Sequence, residues 1–234
     1  MPATRTSARA LLRAATFGAA VALPVVALAV AVRGGSGAVV RFDEATVAAA
    51  TDVTRSSDAL RASLVVWQEV FAARWLNLVL VPAVGVWAWR RTELRGRVVW
   101  AGVTVAVGWG LQHAAKLVVQ RARPVIEDAV AHAPGWSFPS GHAANTTTVA
   151  VVLTVLVWPV LGRTARVVVP TVAGVLVLLT VANRVLLGVH YPSDVLAGVL
   201  LGTAVAGASY LGWRRSSPAA RDVGGRPASA ESRP

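Results

Sequence analysis

Two histidines are conspicuous in this chain for their immediate neighbours. His142 follows Ser140-Gly141 at the head of a long apolar run, and His190 stands four residues before Asp194 across Tyr191-Pro192-Ser193. Pro192 is well placed to start a helix, and Asp194 can then accept a hydrogen bond from one ring nitrogen of His190. That bond fixes the tautomer and leaves the other nitrogen as a nucleophile. His142 can supply a proton to a leaving oxygen and later take one from water. Three cations, Lys116, Arg123 and Arg184, suit the oxygens of a phosphate, with arginine offering a two-pronged fork. Ser140 reads as a helix N-cap that leaves backbone N–H groups free at an anion-binding helix N-terminus. Gly141 lets that anion approach the backbone closely. The chemistry these residue types allow is phosphoryl transfer, which needs mostly positioning and charge stabilisation. The scheme requires no metal and no cofactor.

The elements that must position these side chains follow from composition. Of the 234 residues, 55% are hydrophobic and only 15% charged, where a soluble domain carries about a quarter charged residues. Apolar runs near the ~20 residues that cross a bilayer fall at 14–32, 98–119, 143–161, 167–189 and 195–213. A sixth, within 64–89, is interrupted by Gln68, Glu69, Arg74 and Asn77. The expected fold is all-α, an integral-membrane bundle of six transmembrane helices. Residues 1–13 read as a basic cytoplasmic tail, 14–213 as the six-span domain, and 214–234 as a disordered cytoplasmic tail rich in Pro, Gly, Ser and Arg. Within the domain, 33–63 is an outer loop whose "FDEATVAAATDVTRSSDALRASL" reads as a surface helix, and 120–142 is the loop that carries the site. The first run is longer than the usual 7–15-residue signal core and is expected to be a retained anchor.

The formal charge of +12 could suggest nucleic acid, but its distribution argues against it. With the N-terminus inside, 14 of the 23 basic residues fall on inner segments, the bias that orients spans. Trp87, Trp89, Trp100, Trp158 and Trp213 then lie near the inner interface as an aromatic belt. Lys116, Arg123, Ser140–His142, Arg184, His190 and Asp194 gather at the opposite, outer face. Ionisable residues at membrane depth point to function. Lys116 and Arg123, seven apart, share a helix face if the helix runs that far. With no cysteine, thiolate chemistry is excluded.

"KLVVQRARP", "PSGH" and "NRVLLGVHYPSD" resemble the three signature motifs of the type 2 phosphatidic acid phosphatase superfamily, K-x6-RP, PSGH and SR-x5-H-x3-D. One position departs, Asn183 standing where the family usually has Ser. The resemblance implies a phosphohistidine on His190, with His142 as acid and base and Asp194 behind the nucleophile. It implies phosphate binding by Lys116, Arg123, Ser140, Gly141 and Arg184. It also implies a lipid phosphate or isoprenoid diphosphate as substrate, such as undecaprenyl diphosphate or phosphatidylglycerol phosphate, and a cell-membrane protein with its site on the extracytoplasmic face. The 22 arginines against one lysine fit a GC-rich bacterial genome. The expected activity is a metal-independent lipid phosphatase. Transfer of phosphate to another lipid acceptor, or lipid-phosphate binding without catalysis, are the alternatives. An anion transporter fits less well, because the charges lie at one rim and not at midplane. His113 and His132 are expected to be structural and loop residues respectively. Asn145 is expected to pack helices, Trp136 and Phe138 to anchor a loop or touch a lipid chain, and Glu127 and Asp128 to be solvated loop charges.

Overall fold

The spans fold around one central helix. A computed structural model describes residues 3–126 and 131–216; Glu127, Asp128 and the C-terminal tail beyond 216 lie outside the described residues. The elements are α1 (Ala3–Arg33), α2 (Gly37–Arg55), α3 (Asp58–Val70), α4 (Ala73–Trp75), α5 (Val81–Trp89), α6 (Arg95–Val119), α7 (Gly141–Val157), α8 (Ala165–Leu186) and α9 (Pro192–Ser216). No strand occurs among the described residues. Six helical stretches are long and apolar enough to cross a membrane, and they correspond to the six expected runs. Large apolar side chains such as Leu78, Leu117 and Leu178 face outward from them, as a lipid-solvated surface requires.

The outer segment 33–63 is helical, folded as α2 and the start of α3 with a break at Ser56-Ser57. Two local features depart from the expectations. The second span is not one helix: Ala72 is extended after α3, and a π-helical turn at Leu76–Leu80 leads into α5. Pro82 stands in the first turn of α5. Its ring lacks an N–H and crowds the carbonyl four residues back, which the wider π turn relieves. Finally, α8 stops at Leu186, short of the expected 189, because the chain reverses at Gly188 with φ +68°.

α7 is the hub, with α5, α6, α8 and α9 packed on it. Its first half is rich in small residues, and Ala143, Ala144 and Thr146–Thr148 are buried. The sequence "GVLLG" lets α9 lie directly on this face. A Cβ at Gly198 would come within 2.7 Å of the Ser140 carbonyl oxygen, and one at Gly202 within 2.6 Å of the Ala144 oxygen. This is the small-xxx-small contact by which membrane helices approach backbone to backbone. α1 covers the outer side of α9, with Phe17 seated at Gly207.

The two ends of the bundle differ in chemistry. At one end Arg91 stacks over Trp87 at 4.0 Å, Arg97 over Trp213 at 5.3 Å and Arg166 over Trp158 at 5.7 Å. Such cation–π pairs suit a basic, aromatic interface. Trp100 is a correction: it is buried, and its indole N–H donates to Ser209 Oγ at 2.8 Å, so it belongs to the core. The other end collects the C-termini of α6 and α8, the N-termini of α7 and α9, and α2.

Candidate active site

The turn between α8 and α9 sets His190. Gly188 adopts the left-handed backbone there, and a Cβ on it would meet Thr51 Cγ2 at 2.7 Å. The reversal lets the His190 N–H donate to the Arg184 carbonyl at 3.3 Å. Asp194, in the first turn of α9, folds back so that Oδ2 accepts the Tyr191 N–H at 2.9 Å. The same Oδ2 lies 3.5 Å from His190 Nδ1. Ser137 joins the pair, donating its hydroxyl to Asp194 Oδ2 and lying 3.4 Å from His190 Nδ1.

The opposite nitrogen, His190 Nε2, sits 3.2 Å from Arg123 Nη1. A guanidinium only donates, so the nitrogen it meets carries the lone pair, and the ring hydrogen belongs on Nδ1 toward Asp194. Burial dominates the titration of His190: it pushes the imidazole down to about 4, with Asp194 opposing and Arg123 reinforcing the shift. The ring is therefore neutral near pH 7.

Arg123 also ties the loop together through the carbonyls of Val189 at 2.7 Å, Gly135 at 3.0 Å and Pro134 at 3.0 Å. Burial lowers its pKa and Asp194 opposes that. Lys116 and Arg123 do not share a helix face. α6 ends at Val119, where Gln120 turns left-handed with φ 51°, and Arg123 reaches the site from the extended segment beyond. Lys116 Nζ donates to the Trp136 carbonyl at 2.6 Å, so both cations converge on the same loop.

Ser140 caps α7 as expected, its Oγ accepting the Ala143 N–H at 3.5 Å, while its own N–H donates to the Asp194 carbonyl at 2.9 Å. The N-termini of α7 and α9 are thus joined. Gly141 is walled by Gln112, whose Oε1 is 2.9 Å from where a Cβ would stand. His142 lies within electrostatic reach of Arg184, His190 and Arg123. Its Nε2 is buried and has no hydrogen-bond partner among the described residues. Arg184, 2% exposed, is aimed by Asn183 Oδ1, 3.0 Å from Nε, and by Gln68 Oε1, 3.1 Å from Nη2. Asn183 also donates to the Leu64 carbonyl at 2.7 Å. The residue that departs from the usual Ser therefore fastens α8 to α3 and orients an arginine.

All eight expected site residues meet at one end of the bundle. Sequence reasoning missed a second set. Arg121 donates to Asp194 Oδ1 at 2.7 Å, to Ser193 Oγ at 2.7 Å and to Asp43 Oδ2 at 2.7 Å. Asp43, on α2, is fully buried and also accepts the Ser193 N–H at 3.0 Å. Burial works against the Arg121 charge, but Asp194 and Asp43 outweigh it and raise its pKa. Breaking a buried pair of this kind by removing one partner typically costs about 3–5 kcal/mol. Asp43 shares the buried stripe of α2 with Val47, Thr51 and Thr54, a register in which only Val47 is apolar, so the sequence carried no clear signal for it. His113 is structural, its ring edge-on to Trp109 and Nδ1 2.8 Å from the Trp109 carbonyl oxygen. Asn145 bonds across helices to Asn77 at 2.9 Å. His132 is an exposed loop residue, Trp136 is exposed, and Phe138 is buried among Val25, Val32 and Ala197.

Guanidinium and ammonium groups, a helix N-terminus and the His142 ring thus gather around His190, a set whose chemistry suits an anion. Comparisons with known proteins agree with that chemistry. The sequence pattern that defines the PAP2 superfamily matches residues 97–217. A decaprenylphosphoryl-5-phosphoribose phosphatase of Mycobacterium tuberculosis is 38% identical over 134 residues, covering 56% of this chain and 67% of that protein. Phosphatidylglycerophosphatase B of Bacillus subtilis is 32% identical over 134 residues, 54% of this chain and 62% of that one. The crystal structure of a transmembrane PAP2-type phosphatidylglycerolphosphate phosphatase from Bacillus subtilis superposes with a TM-score of 0.70 at 28% identity, over 82% of this chain and 93% of the other. This chain belongs to the PAP2 superfamily, in its membrane-bound lipid phosphatase branch.

Proposed function

We propose that the protein hydrolyses a lipid phosphomonoester or an isoprenoid diphosphate through a phosphohistidine on His190, at the extracytoplasmic face of a bacterial cell membrane. One observation carries this reading. His190 Nε2 faces Arg123 at 3.2 Å while Asp194 and Ser137 stand behind Nδ1. In the first step the Nε2 lone pair attacks phosphorus, the bond from phosphorus to the lipid or bridging oxygen breaks, and His142 protonates that oxygen. Asp194 offsets the charge that develops on the ring. In the second step His142 takes a proton from water, the water oxygen attacks phosphorus, and the P–N bond breaks to restore imidazole and release phosphate. Lys116, Arg123, Arg184, the Ser140 hydroxyl and the Gly141 N–H hold the equatorial oxygens, where electrostatic stabilisation acts most strongly.

The rest of the lipid has room beside the site. An apolar groove of about 440 Å³ runs along α7 from Thr146, one turn below His142, between α5 and α8. It is a bed for an acyl or prenyl chain whose headgroup sits at the site one helical turn above. The relatives named above, a decaprenyl-linked phosphatase and a phosphatidylglycerophosphatase, act on lipids of these two kinds. Phosphate release from a panel of lipid phosphates and diphosphates in detergent, run beside His190→Ala, tests the assignment. The variant is expected to fold and to lose turnover. Near-normal release from it would remove His190 from the mechanism.

A further inference from the structure

The mechanism gives Asp194 one task, to face His190, yet the same carboxylate is held from its other side. Asp194 Oδ1 receives Arg121 Nη1 at 2.7 Å, and Arg121 Nη2 reaches Asp43 Oδ2, also at 2.7 Å. Ser193 sits between them, its hydroxyl donating to Asp43 and accepting from Arg121. One largely buried cation is therefore shared between two buried carboxylates, and Asp43 comes from α2, whose Thr51 and Thr54 otherwise only brace the turn at Leu186–Gly188. A guanidinium bound to Asp194 alone would neutralise most of the negative charge that His190 needs behind it. With Asp43 claiming the other arm of the fork, Asp194 keeps a larger share.

We propose that Asp43 and Arg121 are positioning residues that set the charge Asp194 presents to His190, with Asp43 restoring what Arg121 withdraws. Neither residue touches the reacting atoms. The proposal rests on His190 being the nucleophile and adds what tunes it. The ionisable groups that face His190 directly are Asp194, Arg123 and Lys116, with His142 nearby. Asp43→Asn and substitutions of Arg121 leave all of these in place.

The test is the acid limb of kcat/KM, which reports the protonation of the free enzyme's essential base. The rate falls on this limb as the His190 imidazole takes up a proton and loses its lone pair. Asp43→Asn leaves a surplus positive charge behind Asp194, which disfavours imidazolium, so the limb moves to lower pH. Arg121→Gln leaves a surplus negative charge, so the limb moves to higher pH, by about half a pH unit or more for charges at this range. The double variant removes a neutral pair and returns the limb close to its parent position. Arg121→Lys keeps the charge and leaves the limb where it was, whatever it costs in kcat.

Shifts of opposite sign with compensation in the double variant are the expected result. Limbs that stay in place, or that move together, overturn the proposal, because a purely structural role lowers activity without that sign pattern. If Arg121→Gln fails to fold, Asp43→Asn and Arg121→Lys still decide it: a limb moved to lower pH in the first and unmoved in the second supports the tuning role, and any other pairing rejects it. His190→Ala is assayed beside them. Turnover surviving in His190→Ala rejects the nucleophile itself, whereas an inactive His190→Ala with unshifted limbs rejects only the part given to Asp43 and Arg121.

Discussion

The two ring nitrogens of His190 meet opposite kinds of partner, and that division of labour is what makes the pair with Asp194 reactive. Nδ1 faces Asp194 and Ser137, Nε2 faces Arg123, and burial keeps the ring neutral. Asp194→Asn keeps the shape but removes the charge and can offer an N–H where an acceptor is required. It is expected to lower kcat by about 10²-fold or more, in the range that acid–base groups contribute, with KM little changed. A change confined to KM, in steady-state phosphate release, would contradict the tautomer argument. At this scale the sequence disclosed the residues that touch the reaction, because histidine, lysine and arginine near membrane depth are too costly to persist without a task. It concealed Arg121, Asp43, Ser137 and Ser193, because a polar side chain in a loop or on a surface helix reads as solvated until the fold buries it. Asn183 was legible only as a departure from a motif. Its bonds to Arg184 and to the Leu64 carbonyl show what it holds.

Among the elements, the contact of α7 with α9 decides whether the site exists. These helices carry His142 and Asp194, and the hydrogen bond from the Ser140 N–H to the Asp194 carbonyl at 2.9 Å is the splice between them. Gly198 makes the close approach possible. A methyl there would press on the Ser140 carbonyl at 2.7 Å and on Ala143 Cβ at 2.9 Å, neither of which is a flexible chain end. Gly198→Ala is expected to destabilise by about 1–3 kcal/mol, as overpacking does, and to reduce activity about tenfold or more. Gly174→Ala on α8, with nothing within 4 Å of the added carbon, serves as the control and is expected to be neutral in both thermal melting and phosphate release. Equal effects of the two would show that the splice is unimportant. The six spans were legible because apolar runs of bilayer length have one interpretation. The break at Ala72 and the π turn were not: a single Pro82 indicates a distortion but not its form. The run ending at 119 marked the end of α6, but not that Gln120, a residue that rarely turns left-handed, would stop the helix there and keep Arg123 off the Lys116 face.

For the molecule as a whole, polarity along the bundle is the main fact. Arginines stacked on tryptophans mark one end, and the site occupies the other. Positive charge favours the cytoplasmic side, so the site is expected to face outward. The chain has no cysteine, which makes the test direct. A maleimide that cannot cross membranes should label His132→Cys in intact cells, and should label Arg163→Cys only after the membrane is opened. The reverse pattern would put the site inside. The fold class was readable from hydropathy alone. That α2 lies under the site and sends Asp43 into it was not, because no periodicity states which neighbour a surface helix will meet.

The central claim is that phosphorus is transferred to His190, and trapping tests it most directly. The purified protein is mixed briefly with a lipid phosphate or diphosphate labelled at the terminal phosphorus, then quenched in alkali and mapped by peptide. Acid-labile, alkali-stable label on the peptide that contains His190, absent from His190→Ala, is the expected result. Label on any other residue of an active sample, or full turnover by His190→Ala, would contradict it.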